Sequence, residues 1–509
     1  MKVNQLKLGA ILSYVVIAIN MIIGVVYTPV LIRMLGQSEY GLYSLVYSIM
    51  TYLTVLDLGF GNAIILYTAK YRAKNQKTEE YRLYGMFVII YTIIGIIAAI
   101  IGIIMYLNVN TLFGDTMTSS ELEKAKIMMI ILTFNLVLTF PLSMFGNILV
   151  AYEKFVISKL IKIAQIVLMP CIMLPLLLLG YKSIAMVVVL TILNIASLLA
   201  NTFICFKNLK IKLDFSKFDI PVLKEIFAYS FFIFLNQVID KVNWSVDQFI
   251  LGTVAGTVAV AVYSVAGQLN TMYLSFSTAI SGVMLPKVAK MEENSATPKQ
   301  YTEIFIRTGR IQYLVMGLII TGFVIFGQAF INLWVGSGYE QTYYIACILM
   351  IPVTIPLTQN IGLSILQAKN KYKYRTMIFF GIAILNVLVS IPLAKMYGGI
   401  GSAIGTAISL VLGQIIILNI YYYKAIHINI LEYWKNILKM TIPMIIVLGI
   451  GLAIKYYISL NGIIGLVLGI GIYSIIYSFI AWRFIMNDYE KDLIKKPINK
   501  VLDKIKKTK

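Results

Sequence analysis

The stretch IFAYSFFIFLNQVIDKVNWSVDQFILG, residues 226–252, is apolar enough to cross a lipid bilayer but carries three charged side chains in its interior. About 20 mostly apolar residues suffice for a transmembrane helix. A charge near the middle of such a helix costs about 2.5–3.5 kcal/mol on insertion scales. We therefore expect Asp240, Lys241 and Asp247 to face the interior of a helical bundle or a cavity that admits water.

The polar residues of this stretch share one side of the predicted helix, because they recur every three or four positions. One row consists of Asn236, Asp240, Asn243 and Asp247, and the row beside it of Gln237, Lys241, Trp244 and Gln248. An internal salt bridge between Lys241 and one of the aspartates is the alternative, but it needs only a narrow polar face. The width of this face favours the lining of a cavity.

The composition of the whole chain indicates an all-α polytopic membrane protein. Of its 509 residues, 60% are hydrophobic and only 13% are charged, and a soluble protein cannot bury so much apolar surface. The net charge is +21, and the charged residues lie between the apolar runs. This pattern indicates membrane topology and excludes a nucleic-acid surface. Cys171, Cys205 and Cys347 each stand alone and His427 lies in a charged linker, so we expect no disulfide, metal or cofactor.

Fourteen apolar segments are long enough to be membrane spans. Their centres lie near residues 20, 55, 95, 138, 168, 194, 239, 270, 322, 354, 386, 411, 448 and 473. An even number of spans is needed if both termini lie on the same side of the membrane. Twelve spans would also satisfy this, but would discard two good segments. The Lys and Arg residues cluster in alternate loops, and the poorer side holds only Arg33, Lys124, Lys126, Lys182, Lys395 and Lys455. The positive-inside rule then places both termini in the cytoplasm of a bacterium, with the first span retained in the cytoplasmic membrane.

Weak internal matches at a nearly constant offset indicate a duplicated unit of six spans. Leu149, Ala151, Lys154 and Phe155 match Leu366, Ala368, Lys371 and Tyr372 at an offset of 217. Because six is even, the two copies would share one membrane orientation. The predicted parts are an N-terminal six-helix lobe (1–206), a cytoplasmic linker (207–225), a C-terminal six-helix lobe (226–424), an amphipathic linker with two additional spans (425–487) and a basic cytoplasmic tail (488–509). The tail is either a helix on the inner leaflet or a solvated segment.

Several stretches resemble a known family of transporters. The second predicted span reads LDLGFGNAIILYTAKYRA at residues 56–73 and is preceded by RMLGQSEYGLYSL at residues 33–45. Later stretches are NILVAYEKF (147–155), VDQFILGTVAGTVAVAVYSVAGQL (246–269), ILQAKNKYKYR (365–375) and GGIGSAIGTAISLVLGQ (398–414). Over nearly the whole chain, these resemble the polysaccharide-export (Wzx-like) family of oligosaccharide flippases. That family belongs to the group that also holds multidrug extruders and the lipid II flippase.

The resemblance implies two six-helix lobes around a central cavity and transport by alternating access. The implied substrate is an oligosaccharide linked to undecaprenyl diphosphate, exported for cell-surface polysaccharide biosynthesis. The family has no fixed catalytic motif, so we expect a transporter and not an enzyme, coupled to an H⁺ or Na⁺ gradient or to the membrane potential. The expected partners are the lipid-linked oligosaccharide and membrane lipids, with a polysaccharide polymerase and glycosyltransferases as further candidates. We expect a monomer.

A basic group must meet the substrate diphosphate, and Lys241 and Arg33 are the candidates nearest the membrane. Arg33 has an alternative role, which is to extend its charged end to the outer surface. The polar neighbours Asn236, Gln237, Asn243 and Trp244 complete the predicted substrate-binding set.

Three aspartates are candidates for ion coupling or for positioning other groups, and they are Asp57, Asp240 and Asp247. Asp57 lies beside Gly59 and Gly61, which permit close helix approach, so a hydrogen-bonded packing role is its alternative. Four basic residues are candidates for a cytoplasmic entrance: Lys70, Arg72, Arg307 and Arg310. Positive-inside topology alone would also explain these four.

Three other functions compete with a flippase. A multidrug cation extruder of the same fold would need an acidic cavity, and Lys241 argues against one. A membrane glycan polymerase or ligase would need catalytic residues on a sizeable outer loop, and the predicted outer loops are short and carry few charges. A structural scaffold would not retain charged residues inside a span.

Overall fold

The computed structural model describes residues 5–281, 284–369, 371–457 and 462–496, and the regular secondary structure of these residues is entirely helical. Within them, twelve helices are long and apolar enough to span a membrane. Helices suit these apolar runs because a helix satisfies its own backbone hydrogen bonds where lipid offers none. The predicted all-α polytopic membrane fold is confirmed.

The helices follow one another with short connections. Up to residue 254 they are α1 (Gln5–Leu35), α2 (Gln37–Leu53), α3 (Phe60–Ala73), α4 (Lys77–Leu107), α5 (Val109–Phe113), α6 (Ser119–Ala151), α7 (Phe155–Leu178), α8 (Ser183–Lys207) and α9 (Ile220–Val254). Beyond it they are α10 (Gly256–Ser281), α11 (Leu285–Glu293), α12 (Pro298–Trp334), α13 (Glu340–Thr358), α14 (Asn360–Ala368), α15 (Tyr372–Leu410), α16 (Leu418–Ile426), α17 (Ile430–Tyr457) and α18 (Gly462–Ile480). Two π-helical turns, Val411–Ile417 and Ala481–Ile485, continue α15 and α18.

Twelve of the fourteen predicted span centres lie in α-helices of the described chain, and those near residues 55 and 411 lie in the 3-10 turn Thr54–Asp57 and the π-helical turn Val411–Ile417. Residues 373–426 hold two of these centres, because the helical path breaks at Gly398, where φ is 58° and ψ is −135°. A positive φ costs a residue without a side chain little, which explains glycine at this break. The fourteen predicted segments are therefore helical, whereas twelve helices of the described chain are long and apolar enough to span a membrane.

The order of helices repeats along the chain. Helices α9, α10, α12, α13 and α15 begin between 215 and 221 residues after α1, α2, α4, α6 and α7, respectively. This spacing agrees with the offset of the internal sequence matches. The superposition of residues 1–206 on 226–424 stays a prediction.

By their contacts, the described residues group into two units. The first unit comprises those of Met1–Ser264 with Ser390–Ser402, and the second comprises those of Val265–Val389 with Ala403–Lys509. Helix α9 belongs to the first unit, where it packs against α2 and α3. The part of the predicted tail from residue 497 onward lies outside the described residues.

Helix α6 is the centre of packing in the first unit, where it contacts α4 along one side and α8 along another. Small residues let α4 and α6 approach closely. A Cβ atom at Gly95 would lie 3.0 Å from the carbonyl oxygen of Val137, and one at Gly102 would lie 2.3 Å from the hydroxyl of Thr133. Such contacts are typical of helices packed in membranes, where dispersion replaces the hydrophobic effect as the attraction.

Successive connections between the helices of the first unit lie alternately at its two ends. At one end, Glu39 of α2 pairs with Lys124 of α6 and accepts a hydrogen bond from Ser183 of α8. At the same end, Glu121 accepts hydrogen bonds from Ser38 at 2.5 Å. These contacts join the α1–α2, α5–α6 and α7–α8 connections, which are the loops predicted to be external.

The opposite end of the first unit holds the loops predicted to be cytoplasmic. Arg82 lies 3.5 Å from the Asp214 carboxylate, and Tyr67 donates to Glu225 at 3.3 Å. These contacts join α4 to the segment between α8 and α9, and α3 to the beginning of α9. The alternation of loops along the chain is thus present in this unit.

Candidate functional site

A cleft in the first unit brings together charged residues that lie far apart in sequence. It has a volume of about 340 Å³. Its lining residues are Thr54, Val55, Asp57, Gln237, Asp240 and Lys241. We call it the charged cleft. Four of these residues, namely Asp57, Gln237, Asp240 and Lys241, were predicted from the sequence as site residues, and the fold places them on one surface.

A break in the second span positions Asp57. Helix α2 ends at Leu53, and a 3-10 turn, Thr54–Asp57, follows it. Leu58 and Gly59 then have φ values of 54° and 75°, so the chain changes direction before α3 begins. The Asp57 carboxylate accepts a hydrogen bond from the Tyr91 hydroxyl at 2.7 Å. It also lies near the N-terminus of α3, where the helix dipole favours negative charge.

Gly59 allows α9 to lie against this break. A Cβ atom at Gly59 would come within 2.8 Å of the Cβ atom of Ile233 on α9. A side chain there would push α9 away from the turn that carries Asp57. The predicted close approach at Gly59 is therefore present, and it brings α9 against the turn that carries Asp57.

Lys241 is the cation of the charged cleft. Its side chain is half-buried. Among the described residues, no acceptor lies within hydrogen-bond or ion-pair distance of its ammonium group, although Asp240 beside it in sequence exerts an electrostatic attraction. An ammonium group has three hydrogens to donate. Lys241 is therefore placed to bind an anionic ligand.

Asp247 and Asn243 lie away from the charged cleft. Asp247 is only 2% exposed and accepts hydrogen bonds from the hydroxyls of Tyr263 and Ser402, both at 2.6 Å. Asn243 is 5% exposed. The face that the sequence predicted as one polar surface is divided into a part that lines the cleft and a part that is buried. A salt bridge between Asp247 and Lys241 is absent from the described chain.

The remaining predicted substrate-binding residues do not line the charged cleft. Asn236 donates to the carbonyl of Phe232 within α9 at 2.7 Å. Trp244 is 38% exposed, and Arg33 is exposed in the last turn of α1. Their roles in binding stay predictions.

Two of the predicted entrance residues lie at the loop end of the first unit that is expected to face the cytoplasm. The guanidinium of Arg72 lies 3.7 Å from the ring centroid of Tyr152 and donates to the carbonyl of Ala151 at 2.9 Å. The ammonium of Lys70 lies 5.3 Å from the ring centroid of Tyr67. Both side chains are exposed, but only Arg72 has a hydrogen bond here that would compete with an incoming anion.

The other two entrance residues differ sharply from each other. Arg310 is buried and donates to both carboxylate oxygens of Glu490, at 2.6 and 3.0 Å, and to the carbonyl of Ile485. These contacts indicate a structural role for Arg310. Arg307 forms an exposed pair with Glu303 at 2.5 Å. It also lines a surface cavity of about 290 Å³, so an entrance role stays a prediction for it.

Sequence reasoning missed a second cavity in the first unit, between α1, α2, α6, α7 and α8, with a volume of about 470 Å³. We call it the amide cavity, because its lining includes Asn20, Asn135, Gln165 and Asn194. Among the described residues that line it, Lys162 is the one cation, and it lies two turns inside α7. The signal was available, since Lys162 and Gln165 lie three positions apart, on one side of a mostly apolar helix.

The sequence model of the family described as polysaccharide biosynthesis protein matches residues 6–292, which is more than half of the chain. The protein belongs to this family. The match runs from α1 through α11 and so includes every residue that lines the charged cleft and the amide cavity. It confirms the family predicted from the quoted stretches.

One relative is distant in sequence but aligns with most of the chain. The chain is 22% identical over 415 residues to a putative O-antigen transporter of Shigella flexneri, an alignment that covers 79% of this chain and 94% of the relative.

Two solved structures show the same fold. A lipid II flippase in an inward closed conformation matches with a TM-score of 0.72 and 16% identity. The match covers 96% of this chain and 100% of the flippase chain. An inward-facing multidrug transporter of the MATE family matches with a TM-score of 0.58 and 15% identity, covering 79% of this chain and 96% of that one.

Proposed function

We propose that this protein is a flippase that moves an undecaprenyl-diphosphate-linked oligosaccharide from the cytoplasmic to the outer leaflet, for cell-surface polysaccharide biosynthesis. The observation that carries the proposal is the family match over residues 6–292. A relative described as an O-antigen transporter aligns with most of the chain, and the fold is shared with a lipid II flippase.

The chemistry of the charged cleft supports this substrate. A lipid-linked oligosaccharide has an apolar tail, an anionic diphosphate and a polar glycan. Lys241 offers an ammonium group to the diphosphate, and the attraction is stronger in a cleft of low effective dielectric than in water. Hydrogen bonds between a cation and phosphate oxygens are also among the stronger ones in proteins. The lipid tail remains in the bilayer while the cleft shelters the head group.

Transport proceeds in this proposal by alternating access and without covalent chemistry. Coupling to an H⁺ or Na⁺ gradient or to the membrane potential supplies the driving force. Asp57 and Asp240 are the carboxylates in the same cleft as Lys241, so a change in their protonation or ion occupancy would change the cleft's affinity for an anion. The protein works in this account as a monomer beside a polysaccharide polymerase and glycosyltransferases.

The proposed location is the bacterial cytoplasmic membrane, with both termini in the cytoplasm. The basic loops carry this part of the proposal. In the first unit, Arg72 and Arg82 lie at one end and Lys124 lies at the opposite end. The loops at the Lys124 end carry fewer basic residues. Cytoplasmic loops of membrane proteins carry an excess of Lys and Arg.

A multidrug cation extruder is the second candidate function. The fold match to a MATE-family transporter and the carboxylates of Asp57 and Asp240 favour it. Lys241 opposes it, because an ammonium group in the same cleft repels a cationic drug.

A reconstitution experiment separates the two candidates. The full chain would be purified and placed in liposomes that contain a fluorescent undecaprenyl-diphosphate oligosaccharide, and a membrane-impermeant glycosidase would report the outward-facing fraction. We expect the protein to raise the rate at which inner-leaflet lipid becomes cleavable. Liposomes loaded with a cationic dye provide the parallel assay. Gradient-driven dye transport without lipid translocation would reject the flippase and favour the extruder.

A further inference from the structure

The amide cavity has a lining suited to a sugar. Its amide side chains come from α1, α6, α7 and α8. The hydroxyls of Tyr27, Tyr47, Thr51, Thr54 and Thr139 join them. Amides and hydroxyls both donate and accept hydrogen bonds, which is what the hydroxyl groups of a sugar require. At about 470 Å³ the cavity is of the size of small-ligand sites.

Part of this lining is already organised. The amide nitrogen of Asn194 donates to Asn135 Oδ1 at 2.8 Å and to Thr139 Oγ1 at 2.9 Å, which joins α8 to α6. These bonds fix the orientation of two amide groups before any ligand binds. Pre-organised polar groups bind with less loss of conformational freedom than mobile ones.

Another part of the lining is unsatisfied. The hydroxyl of Tyr27 is buried and has no hydrogen-bond partner among the described residues. Buried polar groups in proteins are nearly always paired, with protein or with water. A polar ligand or ordered water in the cavity would supply the missing partner, whereas an apolar ligand would not.

The charge of the cavity selects among polar ligands. Lys162 donates to Gln165 at 3.1 Å, which occupies one of its three ammonium hydrogens. None of the described residues that line the cavity is acidic. A cationic ligand would therefore meet only a like charge, and a carboxylate or phosphate would meet an opposite one.

The amide cavity adjoins the charged cleft. Thr54, the first residue of the 3-10 turn that breaks the second span, lines both. In a lipid-linked oligosaccharide the sugars are bonded directly to the diphosphate. A diphosphate at Lys241 would thus place the attached sugars beside Thr54, at the entrance to the amide cavity.

We propose that the amide cavity is a subsite for an acidic sugar, in which Lys162 binds the sugar carboxylate and the surrounding amides and hydroxyls bind its hydroxyl groups. The inference rests on the proposed function, since it names the class of glycan that the flippase carries. The shared chemistry at Lys162 is an anionic oxygen group, and the diphosphate of the same lipid is the other possible source. The amides and hydroxyls around Lys162 favour the sugar.

The test measures binding of three lipids to the full-length protein in detergent by native mass spectrometry. One lipid is undecaprenyl diphosphate carrying a disaccharide that contains glucuronic acid. The second carries the matched disaccharide with glucose in its place, and the third carries no sugar. We expect the wild type to bind the acidic lipid about tenfold more tightly than the neutral one, as one charge-assisted contact would give.

Two substitutions and a matched control locate the effect. Lys162→Gln removes the charge and should abolish the preference without weakening binding of the other two lipids. Lys162→Arg should keep part of the preference, because it retains the charge with a different geometry. Lys159→Gln lies three residues earlier on α7, outside the cavity lining, and should behave as the wild type.

Each alternative outcome has a distinct meaning. Equal weakening of all three lipids by Lys162→Gln would show that Lys162 meets the diphosphate and would reject the acidic-sugar subsite. Equal binding of acidic and neutral lipids by the wild type would also reject it, while leaving the proposed flippase function intact. Failure of the wild type to bind any of the three lipids would refute the proposed function and the subsite together.

Discussion

Lys241 and Asp247 are less than two turns apart on α9, but their surroundings are opposite. Lys241 faces the charged cleft. Asp247 is buried and is held by the hydroxyls of Tyr263 and Ser402. We infer that Lys241 interacts with the substrate, whereas Asp247 positions α9 against α10 and the segment that contains Ser402. The two charges of one span therefore call for separate experiments.

Replacement of Lys241 tests its contact with the substrate diphosphate. A charge-assisted hydrogen bond contributes about 1.5–3 kcal/mol, so Lys241→Ala should reduce glycan export about 10- to 100-fold at normal protein abundance. Lys241→Arg should retain part of the export. The measurement is complementation of a glycan-export mutant, with the protein level determined by immunoblot.

The matched control for this experiment is Lys224→Ala, since Lys224 is an exposed lysine in the first turn of the same helix. It should export as the wild type does. Undiminished export by Lys241→Ala would assign Lys241 a structural role only.

Replacement of Asp247 separates positioning from ion coupling. In Asp247→Asn one carboxylate oxygen becomes an NH₂ group, which cannot accept from the second hydroxyl. We expect a lower rate of lipid translocation in proteoliposomes and an unchanged dependence on an imposed H⁺ or Na⁺ gradient. Ser402→Ala removes one hydroxyl donor to the carboxylate and should lower the rate less. Loss of gradient dependence in Asp247→Asn would instead identify Asp247 as an ion carrier.

At the scale of elements, close packing of α2 against the start of α10 depends on a single glycine. A Cβ atom at Gly41 would lie 1.9 Å from the carbonyl oxygen of Thr257. The same end of α10 is held by Glu121, which accepts from the Thr257 hydroxyl at 2.7 Å. Backbone atoms cannot yield as a flexible side chain can, so any side chain at Gly41 must separate the two helices.

Gly41→Ala should therefore destabilise the protein by about 1–3 kcal/mol, the usual cost of overpacking. Thermal unfolding of the purified protein in detergent measures this effect. Gly267→Ala on α10 is the control, because nothing lies within 4 Å of a Cβ atom placed there. Equal melting temperatures for Gly41→Ala and the wild type would mean that the contact between α2 and α10 contributes nothing to stability.

A buried ion pair joins α12 to the helical segment that contains Glu490 in the second unit. Removing one partner of a buried pair costs about 3–5 kcal/mol, because the remaining charge stays buried without compensation. Arg310→Ala should accordingly lower the melting temperature and the abundance of the protein in the membrane. Arg307→Ala, which breaks an exposed pair with Glu303, should cost at most about 1 kcal/mol. Normal stability in Arg310→Ala, combined with loss of transport, would restore the entrance role.

At the scale of the whole molecule, the alternation of loops predicts the membrane topology. We expect positions 74, 210 and 371 to lie in the cytoplasm and positions 115 and 340 to lie outside. Single cysteines at these positions would be treated in intact cells with a membrane-impermeant thiol reagent. Cysteines at 115 and 340 should react, and those at 74, 210 and 371 should react only after permeabilisation. Labelling at 371 without labelling at 115 would reverse the topology.

The sequence alone determined the class of fold and the positions of its apolar segments. Apolar runs must form helices in lipid, since no other local structure satisfies the backbone there, and every predicted centre lies in a helix or helical turn of the described chain. The charges in residues 226–252 also predicted a polar cleft, because charge inside a span is costly without a cavity or a partner, and Asp240 and Lys241 do line one. Both deductions depend only on the polarity and charge of the residues within one segment.

Only the tertiary structure decided which polar residues share a surface. The break after Leu53 brings Asp57 into the same cleft as Lys241. The packing of α9 buries Asp247, although helical periodicity alone placed it on the same polar face as the residues that line the cleft. Lys162 drew no attention in the sequence, and only the packing of α1, α6 and α8 places amides around it. These outcomes depend on contacts between residues distant in sequence, and such contacts follow from how helices pack and not from the periodicity of any one of them.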